Sequence, residues 1–219
     1  LHSDCRICII GDSVETEEAG IWPRMLREQI QFAGYTNLAV SGTCITPVRE
    51  NSRAIASEER IAMIPDDTTL ILVGGGTNDW LVNIPLEEPG GSESFTGAIA
   101  AMIGTLSERF PDATVLFMSN PVAMMPGREG FADSSGIYNG LGLSVGDYAA
   151  AMREVCEDCG VTYIPVFEEC GITGENCLDY LLQEEFFDGN PMIAHPNEQG
   201  AERIYETVWK ALTEYVHVA

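Results

Sequence analysis

The sequence predicts an α/β protein, a three-layer α/β/α sandwich around a five-stranded parallel sheet. Three observations predict it. Five short, continuously apolar runs bounded by Gly, Pro and Asp read as strands buried on both faces. Patterns with apolar residues three and four apart, the mark of amphipathic helices, lie between them. Their alternation along a chain of 219 residues requires right-handed crossovers, which place helices on both faces of one sheet.

The first strand is expected at residues 6–10, stopped by Gly11-Asp12-Ser13. A helix over 22–32 follows, with Pro23 suited to its first turn and Gly34 to its end. Further strands are expected at 36–40, 69–73, 114–118 and 161–166, and further helices at 57–64, 95–110 and 145–159. In the last helix Ala201, Ile204, Tyr205, Val208, Trp209, Leu212 and Tyr215 form one apolar stripe, and Pro196 suits its start. Two segments, 120–144 and 168–194, are longer than a connection needs, the second with a short helical pattern near 178–183. Loops of that length are often functional, and both follow strand ends. No repeat, low-complexity tract or linker interrupts the pattern, so residues 1–219 read as one domain.

The formal net charge is -23, with 34 acidic residues against 11 basic ones and Lys210 as the single lysine. Such a surface repels phosphate backbones and anionic headgroups, which argues against nucleic-acid and peripheral-membrane partners. No apolar run is long enough to span a bilayer. Seven cysteines cannot all pair within one chain. Cys5/Cys8 and Cys156/Cys159 have C-x-x-C spacing, but the first pair lies along a strand, where residues i and i+3 point to opposite faces, and the second ends a helical pattern and runs into Gly160, so buried free thiols are expected rather than a metal site. That thiol usage favours a reducing, cytoplasmic setting over a secreted one.

Ser13 stands where a buried strand ends, the edge at which open α/β sheets bind ligands. A serine in a turn is ordinarily a turn residue or a helix cap. Its company is what raises it above that. The second strand ends in Ser41-Gly42-Thr43, and the third in Gly74-Gly75-Gly76-Thr77-Asn78-Asp79. The glycine run has neither a Walker lysine nor a dinucleotide fingerprint after it, and Asn78 could donate to a developing oxyanion. His195-Pro196-Asn197 precedes the last helix. Asp12 and Asp79 read as carboxylates that organise their own loops.

In that order, Ser13, Gly42, Asn78 and His195 resemble the four signature residues of the SGNH hydrolases, the GDSL-type esterase/lipase family. The resemblance runs from Ile9 to the last helix, with GGGTNDW and HPNEQG its most specific parts and Val14 in place of the motif's Leu. It implies a flavodoxin-like SGNH hydrolase fold and a serine esterase that needs no cofactor. Ser13 would be the nucleophile and His195 the general base. The Ser13 and Gly42 backbone N–H groups and the Asn78 amide would form the oxyanion hole.

The family usually carries Asp three residues before the histidine, where this chain has Met192. Asp188 is the nearest upstream carboxylate and is the expected acid. A backbone carbonyl, Asp179, Glu184 or Glu185 are the alternatives. Met124, Met125 and Tyr138 are expected to line an acyl-binding wall, equally readable as anchors of a long loop. The expected substrate is a small-molecule or glycan ester with a short acyl group, acetyl first. A lysophospholipase or thioesterase, a silent binder of acylated glycans and a flavodoxin-like cofactor binder are the rival readings. The acidic run Glu15-Thr16-Glu17-Glu18 opposes the last, because it would repel phosphate.

Overall fold

A computed structural model describes residues 2–47, 54–87, 93–185 and 189–218. In chain order it contains β1 (His2–Ile10), α1 (Trp22–Gln29), β2 (Gln31–Asn37), α2 (Glu58–Ala62), β3 (Leu70–Gly75), α3 (Thr77–Leu81), α4 (Phe95–Arg109) and β4 (Thr114–Ser119). There follow α5 (Val145–Cys159), β5 (Thr162–Ile164), α6 (Val166–Glu169), α7 (Cys177–Tyr180), β6 (Leu181–Glu185), β7 (Pro191–Pro196) and α8 (Glu198–Leu212). Five strands form one parallel sheet in the order β2-β1-β3-β4-β5, and β6 and β7 form a separate antiparallel pair.

Alternation along the central strands builds two cores. Cys8, Ile10, Ile71, Val73 and Phe117 face the side covered by α4 and α5. Ile7, Ile9, Leu70, Leu72, Leu116 and Met118 face the side covered by α1 and α8. The three-layer sandwich follows directly, since a strand apolar at every position can hide only between two layers. Cys8 belongs to the first core while Cys5 packs against the second, so the first C-x-x-C pair is split across the sheet.

Several boundaries differ from the sequence expectation. The first helix ends at Gln29, because Ile30 turns extended (φ -125°, ψ 121°). The chain from Gln31 then pairs with β1, so Gly34 sits in a strand opposite Arg6 rather than at a helix end. This is a half-exposed edge strand without a continuous apolar run, and its signal is correspondingly weak. The expected run at 36–40 prolongs it, with Leu38 and Val40 N–H donating to the Ile9 and Gly11 carbonyls. The fifth strand stops at Ile164, and Val166 opens α6. The helical pattern near 178–183 resolves into α7 and the start of β6.

Chain order 2-1-3 means that the path leaves β1 toward one edge and returns on its other side. The crevice between the carboxyl ends of β1 and β3 is therefore the topological switch point. Ser13 and Asn78 follow those two ends. The loop after β1 is closed tightly: Gly20 N–H donates to the Thr16 carbonyl at 3.1 Å, and Trp22 Nε1–H donates to the Val14 carbonyl at 2.8 Å. A Cβ on Gly20 would lie 1.8 Å from the Val14 carbonyl oxygen. Gly20→Ala should therefore cost about 2–3 kcal/mol by overpacking backbone that cannot retreat, read as a lower urea midpoint at unchanged slope.

Candidate active site

The loops at the switch point converge on Ser13. Its Oγ lies 2.8 Å from His195 Nε2, and His195 Nδ1 lies 2.5 Å from Glu184 Oε2. The Ser13 and Gly42 backbone N–H groups have no protein acceptor among the described residues. Gly42 holds φ at +75°, a conformation that favours glycine, and this keeps its N–H free of the sheet ladder.

Asn78 is set by both of its neighbours. Gly76, left-handed at φ 112°, caps the short α3 and swings Asn78 toward β1. The Asn78 amide donates to Asp12 Oδ2 and to the Thr43 carbonyl, each at 3.1 Å. Donation to a ligand oxygen would share or replace one of these bonds. Asp12 in turn accepts from Val14 N–H at 2.9 Å and from the Asn120 amide at 3.0 Å. Asp79, fully buried, accepts the Ile45 and Thr46 N–H groups across the loop that follows Gly42. Both aspartates organise loops as the sequence suggests, but Asp79 reaches a loop more than thirty residues away rather than its own.

His195 and Glu184 lie together on the antiparallel β6–β7 pair. Glu184 pairs directly with Met192, and Gln183 with Ile193. Between Gln183↔Ile193 and Leu181↔Pro196, β6 has one residue and β7 has two, so Ala194 and His195 together oppose Leu182. This β-bulge re-aims the histidine. In a regular strand His195 would share a face with Ile193, which is buried in the core; instead it lines the same cleft as Met192 and Ala194. Met192 is the position at which an acid three residues upstream would stand. Its cross-strand partner supplies a carboxylate from the neighbouring strand, within reach because opposite Cβ atoms lie about 4.5–5.5 Å apart.

The cleft over Ser13 has a volume of about 310 Å³. Its wall is largely apolar, built from Trp80, Leu81, Ala123, Met125, Met192 and Ala194, and Ser13, Gly42, Asn78, His195, Glu184 and Glu185 also line it. Of the expected acyl-wall residues Met125 lines this cleft. Met124 lies on the far side of the hairpin, bridged to Ile193, and Tyr138 is exposed and away from the cleft. Asp188 lies outside the described residues. Trp80 and Met192 escaped the sequence reading as wall residues, since a lone Trp or Met carries no address. Glu184 was legible only as one of several carboxylates. No group of three His, Cys, Asp or Glu among the described residues is arranged to hold a metal ion, and no described helix is long and apolar enough to cross a membrane.

Residues 9–203 match the model of the GDSL-like Lipase/Acylhydrolase family. No curated protein matches the chain. Among solved structures, a Lactobacillus plantarum protein is 26% identical with a TM-score of 0.78, covering 97% of this chain and 98% of its own. A GDSL-like lipase from Bacteroides thetaiotaomicron is 16% identical with a TM-score of 0.63, over 96% of this chain and 89% of its own, a likeness of fold.

Burial raises the Asp79 carboxyl against its backbone donors, to about 6. A folded chain that binds this proton more tightly than the unfolded one is favoured at low pH, and the advantage, ~3 kcal/mol, is lost as pH rises from about 4 through 6. The difference in melting temperature between the parent and Asp79→Asn should therefore be largest near pH 4 and shrink toward neutrality. A constant difference would contradict the assignment.

Proposed function

Because the chain belongs to the GDSL-like lipase/acylhydrolase (SGNH hydrolase) family of carboxylic ester hydrolases, we propose that Ser13, His195 and Glu184 act as a catalytic triad on short-chain acyl esters, acetyl foremost, of a carbohydrate or small alcohol. The observation that carries the proposal is the unbroken relay from Ser13 Oγ through the imidazole to Glu184, beside two unengaged backbone N–H groups.

His195 Nε2 takes the Ser13 hydroxyl proton as Oγ attacks the ester carbonyl carbon, and the carbonyl electrons move onto oxygen. The Ser13 and Gly42 N–H groups and the Asn78 amide receive that oxyanion, one side-chain donor being worth about 2.7–4 kcal/mol of barrier. Collapse expels the alcohol, which takes its proton from the imidazolium. Water, deprotonated by the same nitrogen, then releases the acid and restores Ser13. Glu184 holds the Nδ1–H tautomer and offsets the imidazolium charge, the function a buried Asp serves in the protease triad.

Cleft size and lining support a small acyl group. A volume of about 310 Å³ is at the small end of ligand sites, and the apolar wall suits an acyl chain better than a sugar. The absence of Lys and Arg from the lining, on a chain of net charge -23, supports neutral esters over anionic ones.

A fluorophosphonate probe should label the parent and leave Ser13→Ala unlabelled; an unlabelled parent would favour a silent binder of acylated glycans. Hydrolysis of p-nitrophenyl acetate should exceed that of the palmitate ester at least about tenfold in kcat/KM, and the reverse order would exclude a short-chain enzyme. Glu184→Gln should lower kcat roughly 10²–10⁴-fold, toward the small end because the carboxylate is partly wet. Asp188→Asn should leave kcat within about threefold. Opposite results in this pair would transfer the acid to Asp188.

A further inference from the structure

One buried carboxyl takes no part in the relay. Glu15 follows the nucleophile by two residues and is wholly inaccessible to solvent. Two glycines vacate the space it fills: a Cβ on Gly11 would lie 2.6 Å from Glu15 Oε2, and one on Gly74 would lie 2.4 Å from Glu15 Oε1. Its Oε2 accepts the Asp12 N–H at 3.0 Å, while Oε1 receives no donor among the described residues. Leaving one oxygen of a buried carboxylate without a donor is costly.

Asp12 is the opposite case. Its two oxygens accept three N–H bonds, from Val14, Asn78 and Asn120, the acceptor load of an ionised group. Because Glu15 accepts the Asp12 N–H, the two carboxyls belong to one tight turn, and a bond between them would require a proton on one. Two adjacent buried carboxyls do not both ionise. Around the pair stand Asp79, Cys44, His195 and Arg60, whose guanidinium donates to the Gly11 and Leu38 carbonyls.

We propose that Glu15 is a neutral carboxylic acid in the working protein, that its O–H donates to Asp12, and that this bond aims Asp12 at the Asn78 amide. Glu15 is thereby a positioning residue for the oxyanion hole. Its kinetic consequences rest on the ester-hydrolase reading above; its protonation does not. Burial first, and the Asp12 charge next, push the Glu15 carboxyl well above the ordinary carboxylate range. Glu15 therefore keeps its proton to higher pH than an ordinary glutamate, the direction that the proposed neutral form requires. Loss of that proton would set a second negative charge against Asp12 and disturb Asn78.

Infrared difference spectra of the parent against Glu15→Gln at pH 7 test the protonation. The parent should show the carbonyl stretch of a protonated, buried carboxylic acid, and the variant should lack it. Glutamine also keeps an N–H donor toward Asp12 and an acceptor for its N–H. Glu15→Gln should accordingly hold kcat within about threefold and flatten the alkaline fall of kcat/KM, whereas Glu15→Ala should lose at least roughly tenfold in kcat with little change in KM. A folded Glu15→Gln protein that has lost more than about tenfold at neutral pH, or a parent without the band, would overturn the proposal. A parent that shows the band yet cleaves no ester would overturn the proposed function and leave the proton on Glu15.

Discussion

The Asp12 carboxylate joins the three strand ends from which the cleft is made. Through Val14 N–H it shapes the turn that presents Ser13 after β1; through Asn78 it reaches the loop after β3; through Asn120 it reaches the loop after β4. Parallel strands bring these loops to a common edge but do not fix their mutual distances, because the ladder bonds stop where the loops begin. A buried anion with three charge-assisted bonds does fix them. Asp79 repeats the device one loop away, pinning the segment that carries Gly42. Two carboxylates that touch no substrate thus set the spacing of the groups proposed to do so.

Much of this architecture was readable because it follows from patterns with a physical period. Runs apolar at every position can only be buried strands, and the stripe from Ala201 to Leu212 can only be the inner face of a helix. Ser13, Gly42 and Asn78 were readable because each follows an expected strand end, and His195 because it stands just before the last helix. What stayed hidden was of another kind. β2 is an edge strand whose exposed side chains dilute its pattern. The β6–β7 hairpin is short and mixed in polarity, so its pairing, which makes Glu184 a neighbour of His195, has no periodic trace. Glu15 reads as one member of an acidic run, Glu15 to Glu18, yet it is buried while Glu18 is exposed. Only the glycines on either side, Gly11 and Gly74, hint at the room made for it.

The hairpin also changes how the proposed acid and base are related. In a loop with an acid three residues before the histidine, one backbone turn fixes both groups. Here the two are held across a ladder, so their separation is set by strand pairing, a spacing as regular as any in the fold. Proximity across strands has taken the place of proximity along the chain.

The bulge opposite Leu182 gives the site a dependence on number as well as on kind. Side chains of a strand alternate, so whether His195 meets Ser13 or the hydrophobic core is a question of odd or even count along β7. With Ala194 and His195 sharing one partner, the count is shifted by one and the imidazole faces the cleft. One extra residue in β6 opposite the bulge would give Ala194 and His195 a partner each, restore regular alternation and turn the ring to the Ile193 face, with every side chain of the relay still present in the sequence. The relay is thus encoded partly as a parity, a property that no inventory of residue types contains.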